Sequence, residues 1–175
     1  TRVRSSAASD VYKRQITTPL FDKLIDDTTK STKITKTKCD ILFLEGWCCG
    51  SSEIPKKILH KNINNLEKIK DPKYQWRNFY NNKLKLEYKK LFKLFDELIF
   101  LKTSSFDNVF KWRLKQEKTN QSKNKKSKRM TSNEIKYFVQ HYEKITKWMM
   151  KDLNKKAQIV IKFEKNHKIS SINFN

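Results

Sequence analysis

The most specific chemical pattern in the chain is Ile41-Leu42-Phe43-Leu44-Glu45-Gly46-Trp47, an apolar run closed by an acid and a glycine. If the run is a strand of an open parallel sheet, Glu45 stands at its carboxyl end, where such sheets bind their ligands. An acid there can orient a Mg²⁺-bound water or sense a nucleotide phosphate. It could equally cap a neighbouring helix or face solvent. Arginine is the second signal. Of 40 basic residues 34 are Lys and six are Arg, and Arg2, Arg4 and Arg14 lie in the first 14 residues. Arg129 sits in a Lys-rich stretch, which leaves Arg77 and Arg113, each directly after a Trp. Where Lys would serve, this chain uses Lys. These two positions therefore point to the planar fork that grips carboxylate or phosphate bidentately. The alternative for each is a buried Trp beside a surface Arg. His60, His141 and His167 have no Cys or carboxylate at ligand spacing, so no zinc site is expected. Adjacent Cys48-Cys49 cannot make a CxxC redox geometry and reads as packing.

The formal charge of +22 invites a polyanionic partner. The Lys residues, however, run along almost the whole chain, with abundant Asn and Ile and only two Gly. That joint bias is what an AT-rich genome produces, and most of the charge reads as solvated surface. No apolar run approaches the roughly 18–20 residues of a membrane span. Three Cys, two of them adjacent, make no secreted disulfide framework and point to a reducing compartment. The cytoplasm is expected, with an organelle of a eukaryote left open.

The elements that must position these residues follow from periodicity. Residues 1–15 are Arg- and Ser-rich, resemble an adapter-derived translation and read as a non-native leader. Removing their four cations and one acid leaves +19. Residues 16–38 read as loop plus a short helix around 21–27. Cys39–Glu45 reads as a central strand buried on both faces. A weak helix over 61–71 ends at Asp71-Pro72. Leu84, Tyr88, Leu91, Phe92, Phe95, Leu98 and Ile99 recur every three to four residues, one apolar helix face between Trp76 and Phe100. That run passes into a buried strand at Leu98–Leu101. A helix over 106–117 precedes a flexible loop at 118–129. Thr131-Ser132-Asn133-Glu134 is a capping box opening a helix to about Lys151. Ala157–Phe163 reads as a strand, followed by a frayed tail. Strands alternating with helices imply an α/β class, a parallel sheet joined by crossover helices.

These segments carry a resemblance. ILFLEGWCCG resembles the strand-acid-glycine motif of P-loop kinases of the phosphoribulokinase and uridine kinase superfamily. Its EGW form is similar to the D-glycerate 3-kinase-like branch. Asn64-Asn65-Leu66-Glu67 and Trp76-Arg77-Asn78-Phe79-Tyr80-Asn81 resemble further segments of that branch, in order. So do Val109–Glu117, Met130-Thr131 with Phe138–Glu143, and Pro19-Leu20-Phe21-Asp22-Lys23 with Asp26-Asp27. The resemblance spans about residues 18–168. It implies a partial three-layer P-loop kinase fold, a parallel sheet flanked by helices with its first strands missing. Residues 16–175 would then be the C-terminal part of the kinase domain, with a lid over about 106–130.

The resemblance also implies chemistry. ATP with Mg²⁺ would donate its γ-phosphoryl group to a hydroxyl of a small-molecule acceptor such as D-glycerate. Glu45 would orient Mg²⁺ indirectly. Arg113, with Gln116 and Glu117 beside it, would meet the nucleotide phosphates from the lid. Asp22, Lys23, Asp26, Asp27 and Arg77 would face the acceptor, although Thr28 stands where the branch has a cation. Trp47, Trp76 and Trp112 would be core or pocket walls. The sequence contains no GxxxxGK(S/T) loop to hold the phosphates, so a truncated and inactive kinase is expected. Two other functions compete with this one. A basic nucleic-acid-binding module would use 111–129 as a phosphate-contacting arm with Trp112 for stacking. A non-catalytic kinase-like protein would use the half-fold as an interaction surface. Neither a membrane nor a nucleic acid is the expected partner.

Overall fold

The computed structural model describes residues 15–22, 27–36, 40–123 and 130–175. The chain divides into two compact units, Thr1–Glu45 and Gly46–Asn175. In the first, strand β1 (Gln15–Asp22) pairs antiparallel with β2 (Asp27–Lys36), with an irregularity between Pro19 and Phe21. The loop and short helix expected here are replaced by this hairpin. Thr17, Thr18, Thr28, Thr29, Thr32 and Ile34 are β-branched, and their stiff χ1 angles favour extended backbone over helix. Of the supposed leader, Gln15 opens β1 and residues 1–14 lie outside the described residues.

Of the expected central strand at Cys39–Glu45, Cys39 lies outside the described residues, and residues 40–45 form no strand. Residues 41–45 belong to neither sheet, and Ile41, Leu42, Phe43 and Leu44 are all exposed, Leu42 at 81%. A strand buried on both faces exists only where strands flank it and layers cover it. The described residues supply this run with neither.

The second unit is mixed α/β. Short helices α1 (Lys56–Leu59) and α2 (Asn65–Lys70) lead into α3 (Gln75–Lys83). A π-helical turn over Leu84–Tyr88 continues α3 into α4 (Lys89–Phe92). Asn64 caps α2, its side chain accepting the Glu67 N–H at 3.0 Å. The helical run ends at Phe92, short of the expected end, because residues 93–94 turn out of it. Strand β3 (Ile99–Thr103) follows, then α5 (Phe106–Lys123), α6 (Ser132–Lys156), β4 (Ile159–Phe163) and β5 (Ile169–Phe174).

β3 and β4 are parallel with Phe100 opposite Val160, and β5 lies antiparallel on the far side of β4. The expected crossover between parallel strands is therefore present, made by α5 and α6. Two expectations change. The tail is not frayed, since it forms β5 after a turn in which His167 takes φ 67. β3 is an outer strand of its sheet and packs only one face on the core, so Phe100 is buried while Ile99 and Leu101 stay exposed. The polar segment 118–123 continues α5 as helix, and 124–129 lie outside the described residues. Apolar residues decide whether a helix docks. Lys and Gln are good helix formers without them.

The core forms where α6 lies on the sheet and on the α1 and α3 region. Ile54, Leu59, Leu84, Phe100, Ile145, Met149, Leu153, Ala157 and Val160 pack as one cluster. α6 starts at the predicted capping box. Thr131 N–H donates to Glu134 Oε2 at 2.7 Å, and Glu134 N–H to Thr131 Oγ1 at 3.3 Å. No helix among the described residues is long and apolar enough to cross a membrane.

Candidate functional site

At the carboxyl ends of the parallel strands the second unit opens a cleft of about 640 Å³. Thr103 of β3 and Phe163 of β4 form its floor. α5 contributes Val109, Trp112, Arg113 and Gln116, and α6 contributes Phe138, Tyr142, Thr146, Met149 and Met150. Trp47 and His167 close the sides. Ligands of open parallel sheets lie at this end of the strands. Asn108 anchors the start of α5 to the floor. Its buried amide donates to Thr103 Oγ1 at 3.2 Å and to Ser104 Oγ at 2.9 Å.

The aromatic walls are held by their polar edges. Trp47 Nε1 donates to Thr146 Oγ1 at 3.0 Å, and its ring meets Tyr142 edge-on at 4.7 Å. Trp112 Nε1 donates to the Lys165 carbonyl at 2.8 Å while its ring stacks on His167 at 4.4 Å. Trp112 is therefore engaged on its edge and on one face. Trp47 and Trp112 are pocket walls, as their types suggested. Cys48 and Cys49 are free and half-buried. Burial first, then the neighbouring Cys49, pushes the Cys48 thiol up, and burial does the same to Cys49. Raised thiols are poor nucleophiles at neutral pH, in keeping with packing.

The structure separates the two conspicuous arginines. Arg113 lines the cleft, with its side chain 27% exposed. Its Nη1 pairs with Glu117 Oε2 at 2.8 Å and donates to Gln116 Oε1 at 3.3 Å, and its Cζ lies 5.7 Å from the Phe138 ring centre. Nε and Nη2 carry no partner among the described residues. The predicted trio Arg113, Gln116 and Glu117 is thus one cluster. Glu117 also accepts the Met130 N–H at 3.3 Å.

Arg77, expected to face an acceptor, is fully buried at 0% exposure, while Trp76 beside it is 37% exposed. The bland alternative of a buried Trp and a surface Arg is inverted. Arg77 Nε donates to Asp71 Oδ2 at 2.9 Å, and Nη1 donates to Leu59 O at 3.2 Å and Glu67 Oε2 at 3.4 Å. Nη2 donates to Asp71 O at 2.6 Å and Glu67 O at 3.5 Å. All five donors of the guanidinium are spent on protein. Lys144 joins from α6, reaching Glu67 Oε2 at 3.2 Å and the Lys61 carbonyl at 2.6 Å. Burial works against ionisation of Asp71, but the Arg77 hydrogen bonds and charge outweigh it and hold its carboxyl below the usual range. Burial pulls the Lys144 ammonium down, and Glu67 offsets part of that.

The remaining candidates lie in the first unit. Glu45 is exposed and ends an irregular segment rather than a strand. Asp22 is the last residue of β1. Asp27 opens β2, is exposed and accepts the Thr28 N–H at 2.6 Å. Lys23 and Asp26 lie outside the described residues. Sequence reasoning missed Thr103, Tyr142 and His167 as cleft residues. Thr103 was within reach of the strand-end rule applied to Glu45. His167 was not, because its position depends on a turn read as tail.

No protein-family profile and no curated protein matches this sequence. Among solved structures, D-glycerate 3-kinase from Cryptococcus neoformans var. grubii serotype A superposes with TM-score 0.72 at 18% identity, over 94% of this chain and 61% of that one. Over that shared part the two chains have the same fold. The YGR205w protein gives TM-score 0.62 at 22% identity, over 92% of this chain and 58% of that one. The chain thus spans less than two thirds of either structure. At these identities the likeness is one of fold, and it bears out the α/β fold expected from the motifs.

Against that fold, the cleft fits part of a nucleotide's needs. It offers an open guanidinium edge and aromatic and Met walls, but the sequence has no GxxxxGK(S/T) cradle. Among the described residues no three His, Cys, Asp or Glu side chains converge where they could hold a metal ion.

Proposed function

We propose that this chain is part of an ATP-dependent kinase that transfers the γ-phosphoryl group to a hydroxyl of a small acid such as D-glycerate. One observation supports the reading above others. A chain with a kinase fold carries an arginine with a free Nε/Nη2 edge in an aromatic cleft at the carboxyl ends of parallel strands. That edge suits two phosphate oxygens, and the apolar walls keep water from the transferring group. The acceptor oxygen would form its bond to the γ-phosphorus as the bond from that phosphorus to the bridging oxygen of ADP breaks, with the hydroxyl proton passing to solvent. Arg113 contributes by binding and by neutralising charge, and phosphoryl transfer is accelerated mainly in these two ways. Without a GxxxxGK(S/T) loop the 175-residue chain holds polyphosphate weakly and transfers nothing by itself. Its cysteine usage suits the cytoplasm.

The test extends the chain by whatever its coding sequence encodes in frame ahead of residue 16. The expected result is a GxxxxGK(S/T) segment there. The extended protein should release ADP only when D-glycerate or a related hydroxy acid is present, and Arg113→Ala should abolish that release. An extended protein without the segment, or with ADP release indifferent to Arg113, overturns the proposal.

A further inference from the structure

Glu117 sits one helical turn after Arg113 on α5, at an i,i+4 spacing that brings the two side chains together on one face. The pair is partly buried, 27% exposed at Arg113 and 17% at Glu117. The two carboxylate oxygens act separately. Oε2 holds Arg113 Nη1, and Oε1 accepts the Met130 backbone N–H. One side chain therefore fixes the guanidinium and ties α5 to the residue just before the α6 cap. Gln116 completes the hold, accepting from the same Nη1. Phe138 supports the guanidinium from α6.

What this hold leaves open is informative. A guanidinium has two edges that can grip an oxyanion in parallel, Nη1/Nη2 and Nε/Nη2. Occupying Nη1 from both Glu117 and Gln116 removes the first edge and leaves the second. Arg77 shows the contrast, since every one of its donors is taken. We infer that Glu117 is a positioning residue. It holds Arg113 Nη1 so that the Nε/Nη2 edge is presented, preorganised, to a polyphosphate oxyanion in the cleft. This inference rests on the reading of Arg113 as the phosphate contact.

Simple electrostatics predicts the opposite sign. A carboxylate this near an anion site repels the anion, so its removal should tighten binding. Preorganisation predicts that removal weakens binding, because the freed side chain must be ordered on each binding event. The sign of one measurement decides between them.

The experiment titrates inorganic tripolyphosphate into the full 175-residue chain by calorimetry, for the parent, Glu117→Gln, Glu117→Ala and Arg113→Ala. ¹⁵N spectra of the Arg113 side chain are recorded without ligand. Glu117→Ala should weaken tripolyphosphate binding about two- to fivefold, the scale of a partly exposed ion pair. Glu117→Gln keeps one acceptor oxygen and should recover part of that loss. The Nη1 and Nη2 signals of Arg113 should be distinct in the parent and merge in Glu117→Ala. Unchanged or tighter binding in Glu117→Ala, with Arg113→Ala still weakened, overturns the positioning role alone. If Arg113→Ala binds as well as the parent, the phosphate-contact reading falls and takes the positioning role with it.

Discussion

Arg77 Nε lies 2.9 Å from Asp71 Oδ2 with both side chains buried, so an arginine that looked like a ligand contact is an internal bolt. It joins the end of α2 to the start of α3, and Lys144 brings α6 to the same carboxylates through Glu67. Two acids and two bases balance there, the condition under which buried charges are tolerated. Breaking one partner is costly because the others stay buried and unpaired. Arg77→Ala should destabilise the protein by about 3–5 kcal/mol, or prevent folding. Arg77→Lys should recover little, because an ammonium cannot replace a five-donor fork. Urea denaturation of the two variants measures this. Arg113→Ala is the control and should cost about 1 kcal/mol, as a partly exposed ion pair would.

The same pair sets an acid limit. The folded Asp71 carboxyl is held below its ordinary value of 3.8. A group whose folded pKa is depressed adds stability above its unfolded pKa and loses it as pH falls through the folded one. Stability from this source should be full above about pH 4 and decline below it. Chemical denaturation from pH 6 to pH 3 should show the decline in the parent. Asp71→Asn should be less stable at pH 6 and flatter across the range. A parent curve without decline would count against the pair.

Tyr80 Oη is buried and finds no hydrogen-bond partner among the described residues. Burial, then the Glu67 charge, pushes its phenol well above the ordinary value. An unpaired buried hydroxyl costs about 1–3 kcal/mol. Tyr80→Phe removes the hydroxyl and keeps the ring, so it should leave stability unchanged or raise it by about 1 kcal/mol. A thermal melt that falls by several degrees would show that the hydroxyl has a partner after all.

Gly50 takes φ +79, and a Cβ there would lie 2.6 Å from Leu98 Cδ2. The left-handed backbone favours glycine, and an added Cβ would also push the Leu98 side chain aside. Gly50→Ala should cost about 1–3 kcal/mol, read by denaturant unfolding. A neutral result would mean that Leu98 moves aside without loss.

Local chemistry explains what could be read early. The capping box at Thr131 and Glu134, the α6 face through Ile135, Val139, Ile145 and Met149, and the strand at Ile159–Phe163 need only neighbours in sequence. The α/β class followed from their order, and the kinase-like fold only from the resemblance of their motifs. The Arg113, Gln116 and Glu117 cluster was legible for the same reason, since one helix turn brings these residues together. Thr17–Thr18 and Thr28–Thr29 were misread because their polarity was weighed above their β-branching.

The amino-acid sequence by itself therefore determined α6 with its cap, the parallel strands β3 and β4, and the α5 cluster. Each depends on spacings of three, four or two residues along one segment. Only the tertiary structure decided which arginine is spent and which is open, because Arg77 finds acceptors on α1, α2 and Asp71 that no spacing announces. It also decided that Ile41–Leu44 stands exposed and that His167 meets Trp112. Burial and stacking belong to pairs of distant segments, and a segment's own composition does not name its partner.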